Sequence, residues 1–391
     1  MKFKSFLLMA LMVVIGVRLY AQSSVTPNVI TTAVPFVSIA PDARAGSMGD
    51  CGVSSDADVY SMHYNPAKYA FLEQDMSVGL GYSPWLRNLV GDMGLAYLAF
   101  AKKLNNESAI AATLRYFDVG EITFRDNTGA ETGVYNPNEW AIDVAYSRML
   151  TEYLSGAVAG RFIYSNLTMS QEESHAGYSV AADVSVYYKR PVEWFSNMDA
   201  DIAWGVCINN IGSKVDYSDN SIEKDFIPTT LRFGPSLKLQ LDEYNSLAFM
   251  VDITKLLVPT SPTYYPGTDS IVYGYSDDVS VPVGIIQSFY DAPGYQFNDY
   301  DEIVGSGSFY EELCEYNIGV GAEYWYNKVF AVRAGYFNEA SMKGNRKYVT
   351  MGAALKYNVF GLDVSYLVPV SGNIGTNPLE NTLRFNLTLN F

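Results

Sequence analysis

Reactive side chains are few. The 391 residues hold two histidines and three cysteines. Ser174 directly precedes His175, which puts a nucleophile beside a general base, but neighbours on an extended chain point to opposite sides and rarely make the hydrogen bond that activates a hydroxyl. His63 has no second histidine and no paired cysteine around it, so it reads as a packed imidazole rather than a zinc ligand. Asp277 with Asp278, and Asp299 with Asp301, have the oxygens for a surface Ca²⁺, yet solvated charge in an acidic segment is the simpler account. Gly305 and Gly307 neither follow a strand nor open a helix, so they form no phosphate cradle. Cys51, Cys207 and Cys314 make an odd count. Alternation groups Cys207 with Asp201, Ala203 and Asn209 on a polar face, which leaves open both a Cys51–Cys207 disulfide and three small buried thiols. This inventory predicts no enzyme, no cofactor and no metal.

Binding is better supplied than catalysis. Residues 41–50, PDARAGSMGD, place Pro41, Asp42, Arg44, Gly46 and Gly49 among small residues, and residues 56–71 carry Asn65, Pro66 and Ala67. Charges among Ala and Gly suit a compact polar plug; a solvated linker is the alternative. Residues 60–65 read as a short helix ended by Asn65-Pro66, because a proline disfavours helical geometry in the residue before it. Trp85, Leu86 and Arg87 form a second group of candidate partner contacts: Trp85 fits an interfacial aromatic girdle, and Arg87 beside it has the charge to contact lipopolysaccharide phosphate or a partner carboxylate instead. The third group is a long segment, residues 254–314, dense in aromatics that include Tyr264, Tyr265, Phe289, Tyr290, Phe309 and Tyr310. Exposed aromatics at that density mark either a partner surface or a lid folded on its own mouth. The net charge of -16 excludes nucleic acid as a partner.

These groups need elements to hold them. Lys2 and Lys4 ahead of an apolar run to Val17, with Ala21 before Gln22, predict a secretory signal peptide over 1–21. Beyond it no apolar run reaches the ~18 residues of a spanning helix. Aromatics nevertheless make up 14% of the chain, Tyr and Gly number 31 each, and charged residues only 17%, lean against the ~25% of a soluble domain. That balance predicts β-structure whose outer surface is not wetted. Segments of about ten alternating residues follow one another from 75 to 391: 75–82, 93–103, 108–118, 139–148, 154–165, 178–188, 201–209, 229–239, 246–253, 315–325, 329–337, 348–356, 359–367 and 382–391.

Alternation is clearest at the end, where Leu383, Phe385, Leu387, Leu389 and Phe391 interleave with Arg384, Asn386, Thr388 and Asn390. About fourteen strands, with every second connection short except 189–200 and the others long, is the asymmetry of a membrane barrel with periplasmic turns and outer loops. The prediction is all-β: a transmembrane outer-membrane barrel over 75–391, an N-terminal plug over 22–74, the long outer loop 254–314, and Phe391 as the terminal assembly signal.

Three blocks carry a resemblance: TTAVPFVSIAPDARAGSMGDCGV (31–53), SMHYNPAKYAF (61–71) and SPWLRNLVGDMGLAYLAF (83–100). With them the chain resembles the PorV family of the type IX secretion system of Bacteroidetes, and the likeness extends in layout over the mature chain. More broadly, Asn65-Pro66-Ala67 just ahead of a 14-stranded barrel resembles the FadL fatty-acid channels. The resemblance implies that 22–74 folds into the lumen as a hatch rather than forming a linker. It implies an outer-membrane carrier that binds the C-terminal signal domains of cargo leaving the SprA/Sov translocon and passes them to the PorU sortase for attachment to lipopolysaccharide or release. FadL-like uptake of a hydrophobic small molecule is the alternative from another class, with lipid A deacylation at His175 a third.

Overall fold

The computed structural model describes residues 27–85, 91–125, 128–167, 174–194, 198–218, 224–297, 302–370 and 382–391. Fourteen strands form one closed antiparallel barrel in chain order: β1 Met76–Pro84, β2 Gly94–Lys103, β3 Ser108–Asp118, β4 Asn138–Thr151, β5 Leu154–Asn166, β6 Gly177–Trp194, β7 Met198–Gly212, β8 Thr230–Gln240, β9 Asn245–Leu256, β10 Tyr316–Tyr326, β11 Phe330–Asn338, β12 Lys347–Tyr357, β13 Phe360–Pro369 and β14 Leu383–Asn390. Closure comes from β14 against β1, in register from Ser77↔Asn390 to Tyr82↔Phe385. A bilayer core offers the backbone no hydrogen-bond partners, so a sheet that spans it must have no open edge.

Side-chain alternation sets the two faces. Phe385 and Leu387 are exposed on β14 while Arg384 and Asn386 are buried; on β13 Phe360 and Leu362 point out and Ser365 points in; on β12 Val349, Met351 and Leu355 point out and Thr350 points in. Apolar-out and polar-in is the reverse of a soluble sheet and suits lipid outside with a polar interior. Trp140, Phe162, Tyr164 and Tyr178 contact one another ring to ring near the outer ends of β4, β5 and β6, where an aromatic girdle belongs.

Strand ends move the loop boundaries. The even-numbered connections are 104–107, 152–153, 195–197, 241–244, 327–329 and 358–359, none longer than four residues. The exceptional turn predicted at 189–200 is mostly strand: β6 and β7 run on as a paired ribbon from Lys189↔Ala203 to Trp194↔Met198. The long outer loop starts after Leu256, later than predicted, and carries its own structure: hairpins at Thr263–Tyr264 with Ile271–Tyr273 and at Tyr295–Phe297 with Ile303–Gly305, and helices Val281–Gln287 and Ser308–Cys314.

Other expectations change as well. The helix expected over 60–65 is a single 3-10 turn, Ser61–His63, and a second 3-10 helix, Pro66–Phe71, starts on the proline itself. Asn65 accepts from Ala67 N and so caps that helix. Cys51, Cys207 and Cys314 are free thiols, the first two buried, so the bridge does not form. Trp85 is not in the lipid-facing girdle; it turns inward and packs with the cluster of Phe36, Leu95 and Phe117. The signal peptide, Leu86, Arg87, Asp299 and Asp301 lie outside the described residues.

Candidate functional site

The N-terminal segment touches the barrel's inward-facing side chains all round the ring. In the short helix Ala43–Gly46, Asp42 caps the first turn by accepting from Ala45 N at 2.8 Å, and Asn386 on β14 accepts from Ala43 N. Burial, with the Asp58 charge adding to it, pushes the Asp42 carboxyl up to about 7. Arg44 makes a fork onto Glu323 of β10, Nε at 3.0 Å and Nη2 at 2.8 Å, and its Nη1 reaches Asp58 at 2.9 Å. Arg333 of β11 shares Glu323 at 2.7 Å.

Gly49 has φ +66, and a Cβ there would sit 2.5 Å from Tyr336 O, so only glycine fits. Its N–H donates to Thr350 of β12. A Cβ on Gly46 would strike the guanidinium of Arg384 at 2.5 Å. Pro41 is buried beside β1, its carbonyl oxygen lying 3.1 Å from the position of a Cβ on Gly81.

The Asn65, Pro66 and Ala67 group is held by three further strands. Asn65 Nδ2 donates to Val53 O and to Val186 O of β6, both at 3.0 Å. Ala67 N donates to Ser185 of β6, and Ala67 O accepts from Ser147 of β4 and Ser155 of β5. Asp56 is gripped by Lys189 of β6 at 2.7 Å and Lys238 of β8 at 2.6 Å. The lysine charges more than offset its burial and hold its carboxyl well below the usual range.

Residues that sequence reasoning passed over complete this lock. Asp252 of β9 accepts from Gly52 N and Val53 N, and Lys68, buried inside the segment, donates to Gly52 O at 2.7 Å. Inward position on a strand was the available signal for Asp252, but nothing in the sequence named its partner. His63 lies between Arg115 Nη2 at 3.1 Å and Arg232 Nη2 at 3.4 Å. Burial and those two guanidinium charges keep the imidazole neutral, a packed histidine as predicted. His175 pairs instead with Asp216 on the outer side, 3.1 Å away.

The outer loop is where the structure turns apolar groups outward. Tyr264, Tyr265, Phe289, Tyr290, Phe309 and Tyr310 are all exposed. In the helix Ser308–Cys314 the polarity is inverted: Phe309 is 78% exposed, with Tyr310 and Leu313 beside it, while Glu311 is buried at 1%. Glu311 is held by Lys343 at 2.7 Å, and Glu315 takes Lys343 at 3.0 Å and also Lys255. Asp291, Glu312 and Glu315 bring carboxylate oxygens within 4.8 Å of one another; Lys255 already lies against Glu312 and Glu315. This acidic group is neither of the aspartate pairs the sequence singled out.

Comparison with known proteins follows the same lines. A family described as "Type IX secretion system protein PorV" matches residues 22–263. No curated protein matches the chain. Solved structures similar to it include the toluene transporter TbuX of Ralstonia pickettii, 11% identical over 89% of this chain and 98% of that one with a TM-score of 0.44. The toluene transporter TodX of P. putida is 11% identical over 89% and 98%, TM-score 0.46. A FadL homologue of Pseudomonas aeruginosa is 9% identical over 94% and 100%, TM-score 0.40.

Proposed function

Because this chain belongs to the PorV family and is an outer-membrane component of the type IX secretion system, we propose that it is a carrier rather than a channel or an enzyme: it binds the C-terminal signal domain of cargo leaving the SprA/Sov translocon and delivers it to the PorU sortase. The observation that carries this reading is the contrast between its two ends of polarity. Inside, the hatch is tied to the wall by buried ion pairs and hydrogen bonds, so traffic through the lumen would have to break many of them together. Outside, the long loop buries Asp291, Glu311 and Glu315 while it exposes Phe309, Tyr310, Leu313 and Ile286. Apolar side chains turned outward on the helices of a water-facing loop suit a surface that meets a partner.

The test is copurification from detergent-solubilised outer membrane, with deletion beside it. Retention of translocon, sortase or folded cargo on the wild-type protein, reduced by Phe309→Asp with Ile286→Asp, supports carriage. Normal surface delivery of cargo in the deletion strain, together with reduced uptake of a hydrophobic compound, would overturn it in favour of a FadL-like channel. Lipopolysaccharide enters this reading only as the acceptor to which cargo is attached.

A further inference from the structure

Above the hatch, the outer mouth holds a cavity of about 840 Å³, within the ~300–1,000 Å³ of ordinary ligand pockets. It is lined by the N-terminal stretch through Val29, Ile30 and Thr32 and by the outer ends of β3, β9 and β13 through Phe117, Leu256 and Leu367. Apolar side chains thus make part of the walls, and Glu315, Glu339, Lys343, Arg346 and Lys347 line the rest.

Two observations identify what fits there. Residues 27–32 form no helix, turn or strand pairing. Asn28 N donates to Met342 O and Ala33 N to Phe226 O, both at 2.8 Å, but between these two anchors no hydrogen bond among the described residues reaches the backbone of Val29, Ile30, Thr31 or Thr32. A backbone edge is thus held at both ends and left unpaired along a cavity.

The second observation is the floor. Arg384, 3% exposed, has an Nε without a partner, and Asp50 Oδ1 and Asn317 Oδ1 are buried acceptors without one. Most of the charges around them are matched: Arg384 Nη2 lies 3.8 Å from Asp50 Oδ1, Arg346 pairs with Glu339, and Lys343 pairs with Glu311 and Glu315, while Lys347 donates to the Ser341 hydroxyl. Recognition by net charge is therefore weak. What the edge and the floor call for is a ligand carrying both donors and acceptors on an apolar body. A fatty acid brings acceptors only, whereas a polypeptide backbone brings both in alternation.

We infer that this cavity takes an extended segment of another polypeptide, which pairs with the backbone of residues 29–32 and sends alternate apolar side chains into the cavity. Strand addition of this kind draws affinity from main-chain hydrogen bonds and specificity from the pockets that receive every second side chain. The inference rests on the carrier reading in taking a cargo signal domain as the source of that segment.

Full-length protein in detergent is titrated with an isolated cargo signal domain and with ten-residue peptides spanning it. The proteins compared are wild type, Ile30→Trp to fill the cavity, Thr31→Pro to remove an edge N–H, and Thr31→Val as control. The expected result is a loss of about tenfold or more in affinity for Ile30→Trp and Thr31→Pro but not Thr31→Val. One peptide should compete with the domain, and N-methylation of its alternate amides should weaken it in one parity only. Unchanged binding of the domain to both variants would overturn the inference while leaving carriage standing. So would oleate filling the cavity while no peptide competes. Failure of the domain to bind even the wild-type protein would remove the carrier reading and this inference with it.

Discussion

Replacing Arg44 with alanine should loosen the hatch without dissolving the barrel. Arg44 is the one guanidinium in the hatch that forks onto a wall carboxylate, Glu323 at 3.0 and 2.8 Å, and it also holds Asp58 at 2.9 Å and Asp56 O at 3.0 Å. Removing one partner of a buried pair costs about 3–5 kcal/mol, because the other charge is left in low dielectric. Two features argue for the low end. Glu323 keeps Arg333 at 2.7 Å, and the Asp58 side chain is 24% exposed, so water replaces part of what it loses. A loss of about 3 kcal/mol multiplies the open fraction of the hatch by roughly 100. Hydrogen exchange on the folded barrel in detergent reads this directly: amides at 43–53 should exchange much faster in Arg44→Ala, while those of β10 to β14, held in a continuous ladder, should not. Arg44→Lys should fall between, since an ammonium cannot reproduce the fork. Exchange at 43–53 unchanged from wild type would refute the claim that this pair locks the hatch. Equal acceleration in the strands would refute the separation of hatch from barrel.

Asp291 should make the outer loop sensitive to pH. Burial, then the charges of Glu315 and Glu312, push its carboxyl up to about 7, so between pH ~4 and ~7 the folded loop holds a proton that the unfolded loop has released. Its stability is therefore full below about pH 4, falls as pH rises to about 7, and is flat above. Cleavage of 257–315 by a protease, normalised to an unfolded substrate, should be faster at pH 8 than at pH 5 in the wild type, and Asp291→Asn should flatten the difference; an equal slope in that variant would sink the assignment. Phe391→Asp should lower the amount of folded protein in the outer membrane while leaving the unfolding temperature of what does assemble nearly unchanged. The reason is that Phe391, 56% exposed, sits at the barrel rim, where a charge costs only about 0–1 kcal/mol. A large drop in unfolding temperature would instead make the residue a structural one.

The barrel was legible because its cause is periodic. A strand between lipid and a polar lumen must alternate, and Leu383 to Phe391 or Phe360 to Leu367 show this to a reader of one sequence; all fourteen strands appear in their predicted order. What failed were ends and directions. β6 and β7 run past their predicted ends because Lys189, Arg190 and Pro191 look like a turn, yet pairing between two strands needs no apolar face to persist beyond the membrane. Trp85 was read outward or toward a partner, since an aromatic at a strand end fits a girdle; it turns inward because Phe36 and Phe117 offer it a cluster there, a contact between residues far apart in the chain.

The same limit governs the hatch. Its helix cap at Asp42 and the start at Pro66 rest on local signals, though Pro66 reads in the sequence as the end of a helix rather than the start of one, whereas the link from Arg44 to Glu323 joins positions 279 apart, and nothing periodic announces it. Local chemistry announces a residue's conformation, whereas a lock needs its partner, and the partner is supplied only by closure of the ring. This is why the sequence singles out Asp42, Arg44 and Asn65 without naming the wall residues they meet. It also bears on function: the locks of Arg44, Asp56 and Asn65 join hatch to wall, whereas the long outer loop turns Phe309, Tyr310 and Leu313 outward.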